Sequence, residues 1–316
     1  MPAAKEHNQD QPPAPGTPSP DDRSYRLADW ARLRPPLHAL KTLRYNRVTE
    51  TYVRRPAERG DLAALRGQIA GGRVMVTVAF NDAQILERQI RAIQAFIPGP
   101  LHVVADNSRD EAAALEIEAL CARLDTPYLR LPPNPWGPKS GSRSHGLALN
   151  WVWRQLIQPA RPAAFGFLDH DLIPVAPDDP FAELEERDMS GDKRWMGQRW
   201  FLWAGYCFFR TAALDDIAVD FGQDWFVGLD TGGANWRPLY RWIDPASLHE
   251  RPIVEAPLLP GVPIDDCHIE RRGEAWVHEV GWGGCRDDLR GAKRAAFLAL
   301  IDAALSGHER PSDPER

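Results

Sequence analysis

The stretch Ala163-Ala164-Phe165-Gly166-Phe167-Leu168-Asp169-His170-Asp171-Leu172-Ile173-Pro174 decides the fold. Its apolar first half, bounded by prolines, breaks abruptly into acid, as a buried strand does where it leaves a sheet at a polar edge. Function in open α/β sheets gathers at that edge. Along an extended chain residues i and i+2 leave on the same side, so Asp169 and Asp171 can point together while His170 points away. Two carboxylates that close repel each other unless a cation sits with them, and hard oxygen ligands suit Mg²⁺ or Mn²⁺. Such an ion could hold a diphosphate. The plainer reading is a turn with an aspartate capping the next helix, and the surrounding sequence has to decide between the two.

Upstream, "RVMVTVAF" from Arg73 has the composition of a central strand. The following "NDAQILERQIRAIQAFIPG" carries Ile85, Leu86, Ile90, Ile93 and Ile97 on a helical stripe, opened by Asn81 or Asp82 and closed by Pro98-Gly99. The pattern repeats: a strand at Leu101 to Ala105, Ser108 and Glu111 spaced as a capping box, then a helix to Leu124. "YLRLP" is a third short strand, and "SRSHGLALNWVWRQLI" is a helix feeding the Asp169 strand. This alternation predicts a parallel sheet with right-handed crossovers.

A chain of 316 residues, 43% of them hydrophobic, can bury a full core, as one large α/β domain with appendages or as two smaller domains. A net charge of -6 gives no general reason to expect nucleic acid, no apolar run reaches bilayer length, and "MPAAKEHNQDQPPAPGTPSPDD" lacks the apolar centre of a secretory signal. A cytoplasmic protein is expected. Cys121, Cys207, Cys267 and Cys285 form no Cys-x-x-Cys pair, and Cys267, His268, His278 and Cys285 fit no familiar zinc spacing. Residues 1–23 read as a disordered Pro-rich tail. Residues 24–72 read as a basic helical appendage with a solvated face, the alternative being a surface for peripheral membrane contact or a partner. Residues 286–316 form a closing amphipathic helix and tail, with Leu289, Ala296, Phe297 and Leu300 on the inner stripe.

The order "VTVAFND", "VVADNSRD", "SRSHGLALN", "FLDHDLIP", "GYCFFR" resembles a family 2-type glycosyltransferase with the GT-A fold, over residues 73–285. The resemblance implies a mostly parallel central sheet flanked by helices, in which a nucleotide-binding half (73–174) meets an acceptor half (175–285) at a metal-binding Asp-x-Asp. It further implies a nucleoside diphosphate sugar donor, a saccharide or other hydroxyl acceptor, Mn²⁺ or Mg²⁺ held by Asp169 and Asp171, and inverting transfer. Ala79, Asn81 and Asp82 would lie against base and ribose, although Asp82 also reads as a helix cap. Asp106 resembles the aspartate that hydrogen-bonds the base, the alternative being a plain Asp106-Asn107-Ser108 turn. Lys139 and Arg143 are cations near a helix N-terminus, where both charge and helix end favour a diphosphate, and Arg143 with Ala148 resembles the family's donor-side helix. His278, in "AWVHEVGWGG", resembles the C-terminal histidine that completes many such metal sites, more than His268 does.

Beyond Pro174 the chain is rich in aromatic residues, whose flat rings suit the C–H faces of sugars. Core packing claims most of them, leaving Trp225 and Trp236 in Gly-rich segments as the expected binders. The Glu-Asp pair that often supplies the family's base is absent from "FGQDWFVGLDTGGANW". Asp230 is the candidate base because Gly232 and Gly233 permit close backbone approach to a substrate, with Asp224 in reserve. The missing pair supports an alternative, a non-catalytic sugar- or nucleotide-binding module on a degenerate GT-A fold. A nucleotidyltransferase is a weaker alternative, because no glycine-rich, lysine-bearing phosphate loop occurs near the start.

Overall fold

The computed structural model describes residues 25–137, 140–224, 228–249, 251–280 and 284–309, so the tail 1–23, Lys139 and Trp225 lie outside the described residues. Three helices, α1 (Leu27–Ala31), α2 (Arg34–Val53) and α3 (Leu62–Ile69), precede the sheet. The β-branched run then forms β1 (Arg73–Ala79), followed by α4 (Ala83–Phe96), β2 (Leu101–Asp106), α5 (Glu111–Arg123) and β3 (Tyr128–Arg130). Helix α6 (Gly141–Val152) continues through a π-helical turn, Trp153–Ile157, into α7 (Gln158–Ala160) and delivers the chain to β4 (Ala164–Asp169). β1 pairs in parallel with β2 and β4, and β2 with β3, as the alternating pattern predicts.

After β5 (Leu172–Pro174) the chain reverses. β6 (Met189–Met196) and β7 (Arg199–Arg210) complete the central sheet as antiparallel strands, in the order β3-β2-β1-β4-β7-β6. Strand order therefore switches direction between β1 and β4, which opens a crevice at their carboxyl ends, the place where doubly wound sheets bind ligands. β8 (Gln223–Asp224) and β9 (Leu229–Thr231) pair with each other. A second sheet joins β10 (Ile253–Pro257), β11 (His268–Arg272), β12 (Trp276–His278) and β5, and α8 (Arg290–Glu309) follows.

Apolar burial holds these layers together. Ile85, Leu86, Ile90 and Ile93 of α4 are all buried against the sheet, each contributing about 2 kcal/mol on removal from water. Phe165 of β4 stacks on Phe209 of β7 at 5.4 Å, joining the parallel and antiparallel parts. Several local expectations need correction. Asp110, not Ser108, caps α5, accepting from Ala112 and Ala113, while Ser108 Oγ accepts from the Asn81 amide. The inner stripe of α8 runs through Phe297, Leu298 and Ile301, with Ala296 and Leu300 only partly buried beside it. Trp236 is buried in the core, because the Gly-rich turn before it folds onto β7.

Candidate active site

β4 ends at Asp169 and β5 begins at Leu172, so the Asp-x-Asp occupies a turn between strands of two different sheets. Gln89, wholly buried on α4, braces that turn: its amide nitrogen donates to the carbonyls of Asp169 at 2.6 Å and Leu172 at 2.8 Å. Its amide oxygen accepts from Thr77 at 2.9 Å, so both ends of the side chain are fixed. The pairing of β5 with β12 sets His278 opposite Leu172 and carries its ring to the turn. Ligand atoms of Asp169, Asp171 and His278 consequently lie within 4.8 Å of one another.

His278 Nε2 lies 3.3 Å from Asp171, and its Nδ1 faces Glu270 of the neighbouring strand at 3.2 Å. Glu270 is itself held by Arg194 at 3.2 Å and Arg272 at 2.9 Å, and Arg272 pairs with buried Asp192. Burial opposes the charged form of His278, but the Asp171 carboxylate and the Glu270 hydrogen bond outweigh it and raise the imidazolium to about 9. The same balance holds Asp171 well below the usual carboxylate range, since His278 overcomes its desolvation. This centre is thus a carboxylate–imidazolium–carboxylate chain.

A cavity of about 370 Å³ opens beside it, lined in part by Asn107, His145, Asp169, Asp171, Trp203 and Asp230. His145, on the first turns of α6, approaches Asp169 at 3.3 Å. Trp203 of β7 lies against the His278 ring at 5.2 Å, with Arg272 over its face. Asp230 projects outward from β9 and accepts from Gln223 at 3.3 Å. The glycines after it serve packing rather than substrate approach: a Cβ on Gly232, at φ +92°, would come within 2.3 Å of the Leu202 carbonyl, and one on Gly233 would strike Leu229. Asp224 is buried and 3.7 Å from Arg199, away from this cavity.

The other candidates have separate places. Ala79 is buried in β1, paired with Asp106. Asn81, at φ +51°, accepts from the amides of Arg109 and Asp110, and so ties the β1 and β2 ends together. Asp82 caps α4 and pairs with Arg294 of α8 at 2.8 Å. Asn81 and Asp82 line a second cavity of about 570 Å³, which shares Phe80, His170 and Asp171 with the first. Arg143 lies over the Trp136 ring at 5.5 Å rather than at the Asp169 turn.

Asp106 is completely buried and its oxygens are occupied: they accept from the Ser108 amide and the Tyr128 hydroxyl, each at 2.8 Å, and face Arg130 at 3.2 Å. The geometry is that of an anchor for Arg130, not of a contact open to a base. Asp106→Ala is expected to cost about 3 kcal/mol by leaving the buried guanidinium without its nearest counter-ion, which lowers Tm by roughly 5–10 °C. Thermal unfolding measures this; an unchanged Tm with selective loss of one nucleotide would restore the base-contact role.

His145, Gln89 and Glu270 were not singled out by the sequence. Gln89 had a signal, a polar residue on the buried face of an amphipathic helix, and such a residue needs partners. Glu270 and His145 had none, since their neighbours come from distant parts of the chain.

No family model matches the chain. No curated protein matches it either. Among solved structures it is similar to S. aureus TarS, at 16% identity and TM-score 0.33 over 48% of this chain and 30% of that one. It is similar to the mannosyltransferase PcManGT of Pyrobaculum calidifontis, in complex with GDP-Man and Mn²⁺, at 14% identity and TM-score 0.34 over 61% and 60% of the two chains. A mycobacterial protein matches at 20% identity and TM-score 0.26, over 44% and 45%. The chain thus spans between 30% and 60% of the length of these proteins, and its site is read from its own geometry.

Proposed function

We propose that the protein is a metal-dependent glycosyltransferase of GT-A type, moving a sugar from a nucleoside diphosphate sugar to a hydroxyl acceptor with inversion. The observation that carries this reading is the convergence of Asp169, Asp171 and His278 at the switch point of the sheet, beside a cavity that Asp230 also lines. Two carboxylates and one imidazole make a mixed oxygen and nitrogen donor set, which suits Mn²⁺ better than the all-oxygen preference of Mg²⁺. Bound there, the ion would neutralise the departing diphosphate. Glu270 orients the His278 ring, as outer carboxylates do for ligating histidines, and Gln89 braces the backbone of the turn that carries the two aspartates. Asp230 takes the proton of the acceptor hydroxyl, and Trp203 offers an apolar face to a sugar ring.

Calorimetric titration of UDP and GDP, with Mn²⁺, with Mg²⁺ and with chelator, tests the site; donor hydrolysis tests the chemistry. Tight nucleotide binding with chelator present would overturn metal dependence, and binding without hydrolysis or transfer would favour a binding module. A proton linkage is expected as well. His278 is protonated below about 9, whereas a metal ligand must be neutral, so Mn²⁺ has to displace that proton. Apparent Mn²⁺ affinity therefore rises with pH through the neutral range and levels off above about 9, with about one proton released per ion at pH 7. Titration in buffers of different ionisation enthalpy counts the protons, and a pH-independent affinity would remove His278 from the ligand set.

A further inference from the structure

The first half of α2 presents an apolar face that nothing in the described chain covers. Leu27 and Trp30 of α1, Leu33 between the helices, and Leu37, Leu40 and Leu43 of α2 are each more than half exposed. At about 3.6 residues per turn, Leu37, Leu40 and Leu43 fall on one arc of α2. The less exposed Pro35, His38, Thr42 and Tyr45 lie on the opposite arc. The α1 segment is tied to α2 by the Tyr25 to His38 contact at 3.1 Å and the Asp29–Arg34 pair at 2.8 Å, so these exposed apolar side chains sit on adjoining, mutually fixed elements.

Charge identifies the occupant. Residues 26–47 carry six basic side chains (Arg26, Arg32, Arg34, Lys41, Arg44 and Arg47) and a single acidic one, in a chain whose net charge is -6. Two such patches would repel each other in a symmetric dimer. No described helix is long and apolar enough to cross a membrane. Arg44 and Arg47 fall within the same arc as the leucines, and exposed leucines and a tryptophan interleaved with arginines suit an anionic bilayer interface, where the arginine stems can lie along the apolar layer with their charges at the headgroups.

We propose that the α1–α2 segment docks on an anionic lipid surface, with its leucine face inserted and its arginines at the headgroups. This inference is independent of the glycosyltransferase reading. The test is co-sedimentation of the full-length protein with phosphatidylcholine vesicles, with and without phosphatidylglycerol, at low and high salt, alongside analytical ultracentrifugation without lipid. The expected result is binding to the anionic vesicles that weakens as salt screens the arginines. The double variant Leu37→Glu with Leu40→Glu, both positions exposed and so compatible with an unchanged melting curve, should bind about tenfold more weakly or less. The proposal fails if the wild type stays in the supernatant with anionic vesicles, or if it binds neutral vesicles equally well. It fails equally if the double variant binds undiminished, or if the lipid-free protein is a dimer that this variant dissociates.

Discussion

Asp171→Asn is expected to abolish metal-supported nucleotide binding while the protein stays folded. Asparagine keeps the size of the side chain and an oxygen to face His278, so packing at the β4–β5 turn is preserved. The lost negative charge removes one of two anionic donors from the cluster and the principal counter-charge of the imidazolium. Loss of an outer-shell partner alone typically costs 10- to 100-fold in metal affinity, so loss of a direct ligand should cost about 100-fold or more. The His278 proton should also become easier to remove, which histidine-resolved NMR titration can read. Calorimetry with UDP or GDP and saturating Mn²⁺ decides the matter: binding equal to wild type in this variant would dismiss the cluster as a metal site.

Asp230→Asn should leave donor affinity nearly intact and lower turnover by roughly two to four orders of magnitude, the usual worth of a positioned general base. Asp230 suits the role because it lines the same cavity as the aspartate pair and is exposed on β9, so its carboxylate is accessible to an acceptor. Asp224→Asn is expected to act differently, loosening the pair that buried Asp224 makes with Arg199 and so the fold rather than turnover. The assay needs saturating Mn²⁺, because recovery of the Asp230→Asn rate by excess metal would reassign the residue to the metal's surroundings. Full activity in both variants would place the base elsewhere.

The parallel half of the sheet was readable because its evidence is local. Strand, helix and cap from Arg73 to Asp169 follow from periodicity and from short motifs, and the six-stranded order with β1 beside β4 agrees with them. The same local evidence misled where a motif can serve two purposes. Ser108 with Glu111 has capping-box spacing, yet Asp110 is better placed to receive the α5 amides. Asp106 has the position of a base contact, but Tyr128 and Arg130 arrive from β3 and close it off. The glycines after Asp230 suggested close approach to a substrate, but it is the protein itself that comes close, β7 at Gly232 and Leu229 of β9 at Gly233. The support around His278 was out of reach of sequence reasoning, since Gln89, Glu270 and Asp171 meet only through long-range pairing.

The placement of the aspartate turn between two sheets has a consequence for the order of assembly. During synthesis the strands from Arg73 to Asp169 can pair as they emerge, because each finds its parallel neighbour among residues already made. The imidazole of the cluster belongs to β12, more than one hundred residues later, and reaches the turn only when β12 closes against β5. If the cluster binds an ion as proposed, metal competence is a late event in folding. A nascent chain that has completed the strands from Arg73 to Asp169 still lacks the cluster, so on the proposed metal reading ion loading would report on completion of the second sheet rather than on formation of the first.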